Sequence, residues 1–152
     1  MKLSTVRDLR AYDTRLARFA AKAGALLPVR RRAVALHIRY VPTRWSSGYC
    51  TGGQITLMFG HDEADARATI LHEMAHAAAW DQGHGHGAAW RRALLGAARA
   101  WAVGRRGGCG YVVPRGRSAH AVHAAVREAM RAGMRAERRT RERTRRGKRW
   151  RR

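Results

Sequence analysis

His72-Glu73-Met74-Ala75-His76 is the stretch on which the reading of this chain turns. At about 3.6 residues per turn, two histidines four apart stand one above the other on a single helix face, which brings both imidazoles within reach of one tetrahedral zinc ion. Glu73 projects about 100° round the same helix, beside the coordination position left open, where a carboxylate can take a proton from water. A structural zinc usually closes that position with another side chain, often Cys, and has no need of Glu73.

The flanks support a helix. Asp62 is a good N-cap, and Glu63 and Asp65 put negative charge in the first turn, where the helix dipole favours it. Ile70, Leu71, Met74, Ala75 and Ala78 form an apolar stripe at spacings of three and four, away from the ligand face. Gly83, Gly85 and Gly87 follow Trp80-Asp81-Gln82, end the helix and let the chain double back.

Doubling back supplies two candidates for a third ligand, His84 and His86. The metzincin pattern requires Gly at 79 and His at 82, where this chain has Ala79 and Gln82. The missing histidine at 82 also argues against the His-x3-His-x5-His endoribonucleases, and no Glu-Gly-Cys-Leu-Ser segment supports a peptide deformylase. A thermolysin-like carboxylate ligand has no source, because the next acidic residue after Asp81 is Glu128.

The run Leu71 to Trp90, LHEMAHAAAWDQGHGHGAAW, resembles the SprT-like zinc metallopeptidases, whose His-Glu-x-x-His-Ala is followed by a short loop and His-Gly-x-x-Trp/Phe. The resemblance implies one zinc per chain held by His72, His76 and His86, with Glu73 as the catalytic residue and a zincin-like fold. His84 then reads as a solvated loop histidine. Gly48-Tyr49-Cys50 and Ile55-Thr56-Leu57 look like the hairpin before the family's active-site helix, so the similarity spans roughly residues 34 to 102. The zinc ribbon that many members carry is absent, since only Cys50 and Cys109 are present.

The remaining pattern fits one α+β domain over residues 1–132, with a basic tail at 133–152. Ser4 to Ala23 reads as an amphipathic helix stopped by Gly24. Val34, Leu36, Ile38 and Tyr40 alternate with Ala35, His37 and Arg39 as in a half-buried strand, and Gly52-Gly53 fits a hairpin turn in a small antiparallel sheet. Trp90, Ala93, Leu94, Ala97 and Trp101 make a helix whose start carries the third ligand. Trp80, Trp90 and Trp101 read as core and groove wall. Glycine-rich residues 104–117 connect to a helix capped by Ser118 and running to about Ala132, on which His120 and His123 are three apart. Such a pair can bind metal, but a third partner is missing.

No apolar run is long enough for a signal peptide or a membrane span, and two distant cysteines suit a reducing compartment, so a cytoplasmic protein is expected. A net charge of +22 attracts polyanions. Arg135 to Arg152 hold 11 basic residues against Glu137 and Glu142, with Trp150 able to stack on a base. Only 3 of the 32 basic residues are Lys and the chain is rich in Ala and Gly, the mark of a GC-rich coding sequence, so part of the arginine content reflects codon usage. Non-specific nucleic-acid binding through the tail is expected, without a sequence-reading element. Glu137 to Arg141 and Glu142 to Arg146 are opposite charges four apart, as in an exposed helix.

The expected function is a zinc-dependent endopeptidase acting on protein or peptide substrates. In the family, the eukaryotic member Spartan digests proteins crosslinked to DNA, so the resemblance extends the expectation to DNA-associated substrates. The group stabilising the oxyanion is open between Tyr49 and His84. The rival reading is a basic nucleic-acid-binding protein with a structural or vestigial zinc site; a zinc hydrolase acting on another amide or ester is weaker.

Overall fold

The computed structural model describes residues 14–27, 35–43, 47–51, 54–60, 62–79, 85–103 and 114–149. Helix α1 (Thr14–Leu26) is followed by strands β1 (Ala35–Thr43), β2 (Ser47–Thr51) and β3 (Gln54–Gly60). Three more helices complete it: α2 (Glu63–Ala78), α3 (Ala88–Val103) and α4 (Ala119–Arg149). Trp80, His84, the Gly52-Gly53 turn and Cys109 lie outside the described residues.

The α+β class holds, with more helix than sheet. The sheet order is β1-β3-β2. β2 and β3 form the expected antiparallel pair, with Tyr49 opposite Thr56 and Cys50 opposite Ile55. β1 instead joins the far side of β3 in parallel, with Leu36 opposite Ile55, so the sheet is mixed.

Helix α2 is the hub. Asp62 caps it, its carboxylate accepting from the amides of Ala64 at 2.9 Å and Asp65 at 3.4 Å. The helix is buried nearly all round, from Ala64 to Leu71 and again from Glu73 to Ala75, and not along a single stripe. Alanines at 64, 66, 68 and 75 let α1, α3, α4 and the sheet approach it from several sides. Arg67 ties three of these neighbours to it: the buried guanidinium pairs with Glu63 at 2.6 Å and Glu137 of α4 at 3.8 Å. It also lies 5.1 Å from the ring centre of Phe19 on α1 and 5.7 Å from that of Trp101 on α3.

Three helix limits differ from the sequence reading. Within the described residues α1 runs past Gly24 to Leu26, with Leu27 buried beyond it, so that glycine does not stop the helix. α2 ends at Ala78, five residues before the first glycine of its loop. α4 begins as expected, Ser118 Oγ accepting from the amide of Ala121 at 3.1 Å, but it does not stop near Ala132 and continues unbroken to Arg149. Its apolar face explains this. Val122, Val126, Ala129 and Met130 are buried, and the packing continues through Gly133, where a Cβ would stand 2.2 Å from Cζ3 of Trp101. Glycine here admits the indole ring, and that contact holds the helix past the residue that would otherwise weaken it. From Arg138 to Gly147 the helix is exposed. Glu142 pairs with Arg138 at 3.2 Å, and Glu137 reaches back to Arg67.

Candidate metal centre

Two imidazoles enter the site from α2 and one from the segment before α3. His72 and His76, one turn apart, have ring centres 5.1 Å from each other. Gly85, at a φ of 101° that a side chain rarely adopts, turns the chain so that His86 faces them, and α3 starts two residues later at Ala88. His86 Nε2 lies 3.0 Å from His72 Nε2 and 3.3 Å from His76 Nε2. Ligands at 2.0–2.1 Å round a tetrahedral zinc stand about 3.3 Å apart, so the three nitrogens already occupy positions that a single ion requires. Among the described residues they are the group of three that could hold a metal ion.

Trp90, one helical turn beyond His86, forms the floor. Its ring centre lies 4.8 Å from His72, 5.6 Å from His76 and 4.5 Å from His86, and its indole N–H donates to the His72 carbonyl at 3.3 Å. The tryptophan of His-Gly-x-x-Trp is thus core and ligand support together.

The electrostatics favour neutral ligands. Burial, and after it the neighbouring imidazoles of His123, His76 and His86, pushes His72 down to about 3. Burial and His86 bring His76 down to about 4. Both rings therefore meet a cation without a proton to release. His86 is exposed, and leaves the site open to solvent on its side.

Glu73 is buried, 5% exposed, between α2 and β2, and burial raises its carboxyl to about 7. A Cβ at Gly48 would stand 2.7 Å from Glu73 Cγ and 3.0 Å from the Thr56 carbonyl oxygen, so glycine at that position makes the space the carboxylate fills. Cys50, on the same face of β2, is pushed up to about 11 by burial and by Glu73, which keeps it in the thiol form at neutral pH. Tyr49 alternates to the other face and is exposed, turned away from Glu73; His84 lies outside the described residues.

Two contributors are unmarked by the sequence pattern. Gly48 carries no local signal of its contact with Glu73. His123 does not pair with His120, which is exposed; it turns inward, its Nδ1 3.3 Å from Nδ1 of His72.

This donor set, on these elements, can be set against known families. Residues 55–104 match the SprT-like family. The matched segment runs from β3 through α3 and contains His72, Glu73, His76, His86 and Trp90, the residues that carry the resemblance. It begins at Ile55, leaving Gly48-Tyr49-Cys50 upstream of the SprT-like match. No curated protein and no solved structure matches the chain.

Proposed function

We propose that this protein is a zinc-dependent endopeptidase of SprT-like type. The observation that carries the reading is the convergence of three imidazole nitrogens at 3.0 and 3.3 Å, with a buried carboxylate next in the chain to the first ligand. An all-nitrogen set of three, with solvent access beside His86, suits a catalytic zinc better than a closed structural one. When bound there, zinc would polarise the scissile carbonyl and acidify water towards a pKa of about 7. His72 and His76 hold their positions from a buried helix, and His86 closes the set from the turn before α3. Glu73 accepts the proton from the attacking water and delivers it to the leaving amine. The reading is tested by cleavage of a basic, unstructured protein with and without chelator.

Room for Glu73 is part of that role. Gly48→Ala is expected to keep zinc but slow cleavage by about tenfold or more, because the added methyl displaces the carboxylate while the Thr56 carbonyl, fixed in the sheet, cannot yield. A cleavage assay at matched zinc content checks this; an unchanged rate would mean the position of Glu73 is tolerant.

The basic character supports DNA-associated proteins as the substrate class. Among the described residues no helix is long and apolar enough to cross a membrane. Arg15, Arg18 and Lys22 of α1 and Arg138, Arg141 and Arg145 of α4 line a cavity of about 630 Å³ together with Glu63, Glu137 and Glu142, a wall of mixed charge with cations in excess. Truncation after Thr140 keeps Glu137 on the buried Arg67 and removes eight basic residues. It is expected to weaken duplex DNA binding and flatten its salt dependence, each lost phosphate contact removing about 0.9 from the slope of log affinity against log salt. Cleavage of a free peptide should be unchanged and cleavage of a DNA-bound protein should fall. Equal salt slopes for both lengths would make the tail a solvated extension only.

A further inference from the structure

We propose that His123 on α4 is a positioning residue for the metal centre, holding His72 by the ring nitrogen that faces away from the other two ligands. The role rests on the zinc reading above and reaches beyond its three ligands.

His72 has two ring nitrogens with different neighbours. Nε2 meets His86 Nε2 at 3.0 Å, within the cluster, and Nδ1 meets His123 Nδ1 at 3.3 Å, outside it. The nitrogen that binds a metal carries no proton, so the His72 proton must sit on Nδ1, which makes that nitrogen the donor and His123 Nδ1 the acceptor. His123 then carries its own proton on Nε2. That nitrogen faces Asp65 Oδ1 at 3.8 Å, a charge–dipole contact longer than a hydrogen bond, and Arg127 Nη1 stands 3.5 Å from the same oxygen. The order of groups, carboxylate to imidazole to imidazole, fixes one tautomer at each ring.

The geometry separates this role from ligation. His123 reaches His72 on the side opposite the converging Nε2 atoms, so it cannot share their ion without displacing the ring it touches. Metal-binding histidines almost always donate their second N–H to an oxygen or water, and loss of such a partner costs about tenfold to a hundredfold in metal affinity. Here an imidazole takes that place. Val122 and Val126, buried on either side in sequence, anchor this stretch of α4, a helix that packs on both α2 and α3. The contact also gives the long basic helix a direct link to the metal centre.

The test is zinc affinity, measured by competition with a chromophoric chelator, for the full chain and for His123→Asn, His123→Leu and His120→Ala. Asn places an amide oxygen where His123 Nδ1 lies, whereas Leu has similar volume and no acceptor. The expected result is about tenfold to hundredfold weaker zinc in His123→Leu, most of it recovered in His123→Asn, and no change in His120→Ala. Cobalt substitution should show the same order in its visible bands, since these follow ligand geometry. His123→Ala replaces the leucine variant in the comparison if the leucine does not fold. Wild-type affinity in the variant without an acceptor, or equal weakening by Asn and Leu, would overturn the role and leave His123 as packing. A wild-type chain that takes up no zinc would overturn the zinc reading itself, and this role with it.

Discussion

Alanine in place of His86 is expected to strip the metal centre of zinc while leaving the fold in place. Two imidazoles on one helix face offer an ion only two nitrogens; the third, Nε2 of His86 at 3.0 and 3.3 Å from its partners, completes the set and joins α2 to the segment before α3. Loss of a direct ligand should exceed the tenfold to hundredfold cost of losing an outer partner, so a fall in affinity of about a hundredfold or more is expected. The cost to folding should be small, because His86 is exposed and the core beneath it is carried by Trp90. Metal content per chain and chelator competition measure the first part, and melting of the metal-free proteins the second. His84→Ala is the control and should keep its zinc. Zinc lost with His84 and kept without His86 would reverse the assignment.

Glutamine at Glu73 is expected to separate metal binding from chemistry. The amide matches the carboxyl in shape but cannot accept a proton, so cleavage should fall by about a hundredfold to ten-thousandfold, the range for losing a general base. Zinc should stay bound, because Glu73 is not among the three converging residues. The melting temperature of the metal-free protein should hold or rise: Glu73 is 5% exposed and its carboxyl is pushed up to about 7 by burial, so the neutral amide avoids desolvating a charge. Reduced zinc content in Glu73→Gln would instead give the residue a part in binding. This variant also divides the enzyme from a basic nucleic-acid-binding protein with a vestigial site, for which it should change nothing.

The parts legible in the sequence are those set by neighbours along the chain. The Asp62 cap, the histidine pair, the β2–β3 pairing and the buried Trp90 and Trp101 all follow from local spacing and residue type. The misread parts depend on contacts between distant segments. Gly24 looks like a helix stop but α1 continues to Leu26, and the helix expected to end near Ala132 runs on because Gly133 makes room for Trp101. The parallel pairing of β1 with β3 has no signature in the alternation of either strand. A buried arginine at 67 is invisible until Phe19, Trp101, Glu63 and Glu137 are seen round it. The three-residue spacing couples His123 to His120, yet its partner is His72, 51 residues away.

The most direct measurement of the central claim is cleavage of an unstructured basic protein by the purified chain, first with one equivalent of zinc, then after chelation, then after zinc is restored, beside Glu73→Gln at equal zinc content. Cleavage that is lost on chelation, regained with zinc and lower by about a hundredfold or more in the variant is the predicted result. Cleavage that persists without metal, equal rates in the two proteins, or none from a chain holding stoichiometric zinc would contradict it.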